Sequence, residues 1–159
     1  MVEEFLAFAR GEGTEEPSEC DLGEIVESVA RAGSSDHRTV QATVEGDLNI
    51  LIRPNAIRRC ITNLVINATT HAQSVEIAAV RRGGLVEINV DDDGPGIPES
   101  EYEAVFKPFY RLDASRNPGT GGTGLGLSIA RDLARGSGGD VTLDRSPLGG
   151  LRATIKLPV

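Results

Sequence analysis

The chain has 159 residues, enough for one compact domain and too few for two large ones. Hydrophobic residues make up 39% and aromatics 4%, with no Trp, so the core has to be built mainly from Ile, Leu, Val and Ala. A formal charge of −8 argues against nucleic acid as a partner, which would need a basic stripe, but not against a nucleotide held at a local positive site.

In chain order, Val2, Phe5, Leu6 and Ala9 fall at helical spacing, and the pattern stops at the Gly-, Glu- and Pro-rich stretch Gly11 to Pro17. Residues 1–17 read as the end of a helix plus a linker, with the domain proper at 18–159; a capping helix of the same domain is the other reading. Asp21 is placed to cap a helix from Leu22 to Ala32, whose Leu22, Ile25, Val26 and Val29 share one face. Arg38 to Val44 and Leu48 to Ile52 read as two short strands joined by Glu45-Gly46-Asp47.

Pro54 opens a long helix, Asn55 to about His71, with Ile57, Ile61, Leu64, Val65 and Ala68 directed at a sheet. Beside that stripe runs a second one: Asn63, Asn67, Thr70 and His71. Its asparagines are either solvated or partnered, because a buried amide without a partner is costly. Ser74 to Val80 and Gly84 to Val90 form a hairpin through Arg81-Arg82-Gly83, and Gly139 to Leu143 with Leu151 to Leu157 form a second pair. Strands paired in this way, with helices interspersed, predict a mixed sheet covered on one face by helices rather than a doubly wound parallel fold.

The strand ending at Val90 runs into Asp91-Asp92-Asp93-Gly94-Pro95-Gly96-Ile97. A carboxylate at a strand end can accept the exocyclic amine of adenine, and alternation puts Asp92 on the face opposite Asp91 and Asp93. The glycines allow a tight turn and close approach of backbone to a flat ligand, and Ile97 can line an apolar slot. A short helical piece near Glu99 to Val105 precedes Phe106 to Asp113, and the stretch from Ala114 to Gly122 has little apolar content. A segment of this length and composition reads as a mobile lid, from which Arg111 and Arg116 can meet a terminal phosphate. Gly122-Thr123-Gly124-Leu125-Gly126-Leu127 then opens a helix, and its N–H groups suit a phosphate. It lacks the Gly-Lys-Ser/Thr of a Walker A loop and the spacing of the dinucleotide fingerprint. A triphosphate facing an acidic protein needs a screening cation; magnesium prefers oxygen ligands, which the Asn67 amide can supply.

Four motifs in this order carry a resemblance. Asn63-Leu64-Val65-Ile66-Asn67-Ala68 resembles the N box of sensor histidine kinases, and Asp92 to Ile97 their G1 box. Phe106-Lys107-Pro108-Phe109-Tyr110-Arg111 resembles their F box, and Gly122 to Leu127 their G2 box. The resemblance covers about residues 20–159. It implies the Bergerat (GHKL) fold: an α+β sandwich with a mixed, mostly antiparallel five-stranded sheet, three main helices on one face and a mobile lid over Mg-ATP. It implies Asn67 as magnesium ligand, Asp92 as adenine acceptor, and Gly94, Gly96, Gly124 and Gly126 as backbone contacts. Asn67 and Arg111 are the catalytic candidates. Asn63, Thr70, His71, Ile97, Tyr110, Leu112, Gly122, Thr123, Leu125 and Leu127 complete the expected nucleotide site. Where the family often has Lys or Arg and then Tyr, this chain has Thr70 and His71; His71 is either a ribose or phosphate contact or a partly exposed helix-end histidine.

The phosphoacceptor His of such kinases has no counterpart, since neither His37 nor His71 sits in the required helical context. The resemblance therefore implies a catalytic, ATP-binding fragment, with residues 1–17 as the remnant of a dimerisation helix and its linker. Its expected partners are ATP, the dimerisation and phosphoacceptor domain of the same kinase, and a response regulator. The alternatives are a GHKL clamp ATPase or a non-catalytic nucleotide-binding regulator. Cys20 and Cys60 lack metal or redox spacing, and no window is apolar enough to span a membrane. The expectation is a cytoplasmic piece without membrane contact, whose parent is compatible with an inner-membrane anchor.

Overall fold

In the computed structural model, residues 15–110 and 126–159 are described. Their elements run β1 (Ser18–Asp21), α1 (Leu22–Gly33), β2 (Thr39–Glu45), β3 (Asn49–Ile52), α2 (Pro54–His71), β4 (Ser74–Arg82) and β5 (Leu85–Asp92). Two 3-10 turns, Glu99–Glu101 and Ala104–Phe106, come next, then α3 (Gly126–Gly136), β6 (Asp140–Arg145) and β7 (Leu151–Pro158). The terminal helix expected at 1–10, the lid from Arg111 onward, and Leu112, Arg116, Gly122, Thr123, Gly124 and Leu125 lie outside the described residues.

Five strands form one sheet in the order β2-β4-β5-β7-β6. β2 and β4 are parallel, and the other three pairings are antiparallel. Alternation decides which face is covered. Val75, Ile77 and Ala79 of β4, Val86, Ile88 and Val90 of β5, and Ala153, Ile155 and Leu157 of β7 are all buried. α1, α2 and α3 lie on that face and contribute Leu22, Val26, Ile57, Ile61, Leu64 and Ala130 to the same core. The opposite face is polar and internally paired, with Asp91 to Arg152, Glu87 to Lys156 and Asn89 to Thr154. Asp92 shares the parity of Val86, Ile88 and Val90, so it turns toward the helices.

The structure departs from the pattern reading in local ways. β2 and β3 do not pair with each other; β3 pairs antiparallel with β1, a strand whose Ser18-Glu19-Cys20 carries no apolar alternation to announce it. β4 and β5 extend to Arg82 and from Leu85, so Gly83 and Gly84 make the turn. The helical piece expected near Glu99 is the pair of 3-10 turns.

Asp21 caps α1 as expected, its carboxylate accepting from the Gly23 amide at 2.9 Å. α2 is capped from a distance instead. Glu15 accepts from the Asn55 and Ala56 amides, each at 3.2 Å, and Arg53 donates to the Glu15 carbonyl at 2.8 Å. A carboxylate at the positive end of an 18-residue helix satisfies two otherwise unpaired donors. Glu15→Ala is expected to lower unfolding free energy by about 1 kcal/mol, read as a reduced urea midpoint; an unchanged midpoint would show that water replaces the cap at no cost.

Cys60 joins α2 to α3, its thiol donating to the Ala130 carbonyl at 3.2 Å. Burial pushes that thiol up to about 12, so it stays protonated and inert. No helix among the described residues is long and apolar enough to cross a membrane.

Candidate functional site: the end of β5 and the last turns of α2

The three consecutive acids at the end of β5 have three different jobs. Asp91, on the polar face, forms a two-pronged ion pair with Arg152, at 2.8 and 2.9 Å. This locks β5 to β7 in the register that sets these two residues opposite each other. Asp93, past the strand, accepts from the Gln73 and Ser74 amides at 3.1 and 3.0 Å. The Ser74 amide foremost holds its carboxyl below the usual carboxylate range. Asp93 thus ties the β5 end to the loop that follows α2.

Asp92 lies between them and is 4% exposed. Its Oδ1 accepts from the Gly94 amide at 2.9 Å and the Leu151 amide at 3.1 Å, while its carbonyl accepts from the Gly150 amide at 3.0 Å. Among the described residues, Oδ2 receives no hydrogen bond. A buried carboxylate with one oxygen anchored and the other open is a preset acceptor.

The helix side of the site meets this turn directly. A Cβ at Gly94 would sit 2.7 Å from the His71 carbonyl, so only glycine allows the turn to press against the last turn of α2. An open cleft of about 650 Å3 lies at this junction, lined by Thr70, His71, Gln73, Asp93, Gly94 and Pro95. Thr70 gives its hydroxyl proton to the Ile66 carbonyl at 2.7 Å, leaving only acceptor capacity toward the cleft. His71 is exposed at the rim. One turn earlier, Asn67 is half-buried. A further turn back, Asn63 is 5% exposed and, among the described residues, its Nδ2 has no hydrogen-bond partner. Of the two readings of these asparagines, neither the solvated nor the partnered one describes the Asn63 Nδ2.

α3 starts beside Asn63. A Cβ at Gly126 would lie 3.8 Å from the Asn63 carbonyl, and Leu127 is buried in the core. Gly96 adopts a positive φ of 74° in the turn after Asp92, and Ile97 packs half-buried against the core. Tyr110 donates its hydroxyl to Glu101, which raises the Tyr110 pKa.

The donor set fits a nucleotide with a hard cation. Among the described residues it offers a buried carboxylate oxygen without a partner for an amine, an orphaned amide N–H for an anionic oxygen, and a half-buried amide oxygen of the type magnesium accepts.

Two supports went unseen in the sequence. In the sequence, Gly149 and Gly150 simply lie between the two strands of the second pair. Gly149 has a positive φ of 103° and open space around it, as a turn glycine does. Gly150 is different: a Cβ there would lie 2.0 Å from Asp92 Oδ1. Arg131 of α3 is the second. It stacks on the Phe106 ring at 4.0 Å while pairing with Glu103 at 2.8 Å and Asp140 at 3.1 Å. It fastens the 3-10 turn below the F box to α3 and β6, and nothing in its spacing signals this.

Known proteins share this fold. A family profile described as "Histidine kinase-, DNA gyrase B-, and HSP90-like ATPase" matches residues 52–159. The sensor histidine kinase GtrS of Pseudomonas aeruginosa is 36% identical over an alignment of 146 positions that covers 87% of this chain and 30% of GtrS. The sensor histidine kinase CpxA of Escherichia coli is 44% identical over 108 residues, 67% of this chain and 23% of CpxA. The chain thus spans under a third of either curated relative. The crystal structure of the ATP binding domain of PrrB from Mycobacterium tuberculosis superposes with a TM-score of 0.77 at 28% identity, covering 91% of this chain and 98% of that one. With its mixed five-stranded sheet and three helices on one face, the chain belongs to the histidine kinase-, DNA gyrase B- and HSP90-like ATPase family, and within it to the ATP-binding domains of sensor histidine kinases.

Proposed function

We propose that this domain binds Mg-ATP between the end of β5 and the last turns of α2, and transfers the γ-phosphoryl group to a histidine on a dimerisation domain outside this chain. The observation that carries the reading is the contact between Gly94 and the His71 carbonyl, which brings the strand end bearing Asp92 beside the helix bearing Asn63 and Asn67. Asp92 Oδ2 accepts the adenine amine, and Ile97 borders the base. Asn63 Nδ2 faces a phosphate oxygen, and the Asn67 amide oxygen holds magnesium. Among the described residues, no cluster of His, Cys, Asp or Glu suffices to hold a metal alone, so the cation depends on phosphate oxygens as well. Bound magnesium screens the negative charge of the phosphates.

In the transfer, the bond from the β,γ-bridging oxygen to the γ-phosphorus breaks, leaving ADP. A bond forms from an imidazole nitrogen of the acceptor to that phosphorus, and the imidazole N–H proton passes to a base outside this chain. This chain contributes binding and orientation, the larger part of phosphoryl-transfer catalysis. Arg111 and the G2 glycines, Gly122, Gly124 and Gly126, are assigned to the phosphates by the motif match. In this reading residues 1–17 are the remnant of a dimerisation helix plus its linker, the phosphohistidine passes its phosphoryl group to a response regulator, and the domain works in the cytoplasm.

The test mixes this chain with a separately produced dimerisation domain and γ-labelled ATP. The expected product is acid-labile, base-stable phosphohistidine on that domain. Intact ATP binding with no phosphohistidine would overturn the transfer.

A further inference from the structure

We propose that Gly150 and the backbone amide of Leu151 are positioning residues for base recognition, holding the Asp92 carboxylate so that one defined oxygen, Oδ2, faces the 6-amino group of a purine. This rests on the nucleotide reading above and adds to it the part of the chain that decides which purine is accepted. The geometry has three components. The Leu151 amide donates to Asp92 Oδ1 at 3.1 Å, a contact across 59 positions of sequence. The Gly150 amide donates to the Asp92 carbonyl at 3.0 Å, so β7 begins by gripping both the backbone and the side chain of one residue. A Cβ on Gly150 would stand 2.0 Å from Asp92 Oδ1, 2.6 Å from its carbonyl oxygen and 2.7 Å from the Gly94 nitrogen. Two of those atoms are backbone and cannot swing aside, so any side chain at 150 displaces the acid.

The Gly94 amide completes the grip on Oδ1 at 2.9 Å. With two N–H donors on one oxygen, rotation about the last side-chain bond of Asp92 would strip both of their acceptor. The carboxylate is therefore oriented before any ligand arrives, which is how a buried acceptor discriminates between an amine and its absence. Behind it, the Asp91–Arg152 pair keeps β7 from slipping along β5.

The test compares binding of ATP with that of purine riboside triphosphate, which lacks the 6-amino group, in the intact chain with magnesium. The wild type is expected to prefer ATP by about 10- to 100-fold, the range of a hydrogen bond to a charged acceptor. Gly150→Ala is expected to bring that ratio close to one, chiefly by weakening ATP. Gly149→Ala serves as the comparison, since it strains a positive φ of 103° in open space; it should lower the melting temperature and leave the ratio intact. A ratio unchanged in folded Gly150→Ala overturns the proposal. A wild type that binds both nucleotides equally overturns instead the reading of Asp92 as base acceptor. Should Gly150→Ala not fold, the wild type supplies a second measurement: with ATP bound, a through-hydrogen-bond NMR coupling is expected between the Leu151 amide nitrogen and the Asp92 side-chain carbonyl carbon. Its absence likewise overturns the proposal.

Discussion

Asn67→Ala should cost at least about 100-fold in ATP affinity with magnesium present and little with magnesium chelated. Outer-sphere partners of metal sites are worth about 10- to 100-fold, and a direct ligand should reach the top of that range or pass it. The substitution separates binding from folding cleanly. Asn67 is half-buried on α2, and alanine is the better helix former, so thermal stability should hold or rise. Calorimetric titration with ATP, run with magnesium and with chelator, gives the comparison. Equal losses in the two conditions would show that Asn67 touches the nucleotide without the metal; no loss in either would remove it from the site.

Asp92→Asn should weaken ATP binding by about 100-fold and shift preference toward a 6-oxo purine such as inosine triphosphate. From the sequence alone, an asparagine could turn either end toward the base. The structure decides the orientation. Oδ1 receives the Gly94 and Leu151 amides, so turning the NH2 group that way would set it against two N–H donors. The oxygen must stay there, and the NH2 must take the Oδ2 position. It then confronts the adenine amine donor to donor, which is worse than a missing bond. A 6-oxo group offers that NH2 an acceptor. Competition titrations with the two triphosphates read the shift; an Asn variant that keeps full preference for ATP would show that the base is read elsewhere.

Much of this candidate site can be read from the sequence because its signals are local. A strand period of two set Asp92 on the face opposite Asp91, and helical spacing put Asn63, Asn67, Thr70 and His71 on one strip. Glycine density after the acids marked a backbone approach, although what approaches Gly94 is the His71 carbonyl at the end of α2. Expectations about Arg111, Leu112, Gly122, Thr123, Gly124 and Leu125 fall outside the described residues and stand on the motif match. β1 was not legible, because a short strand at the margin of the fold needs no apolar alternation; its partner β3 supplies Ile50 and Ile52 to the core. Glu15 looked like linker, and its capping of α2 joins residues 40 and 41 positions apart.

By itself, the sequence determined most of the helices and sheet strands, the covered face of the sheet and which side chains are candidates for the chemistry, since periodicity, caps and motif order act within a few residues. The tertiary structure alone decided which of three adjacent acids is free to accept. Among the described residues, Asp91 is taken by Arg152, Asp93 by the Gln73 and Ser74 amides, and Asp92 keeps one open oxygen, the other being filled by the Gly94 amide and by Leu151 where β7 returns beside β5. Those partners come from the loop after α2 and from the last strand, and hydrogen-bond satisfaction depends on atoms within about 3 Å, whatever their distance along the chain.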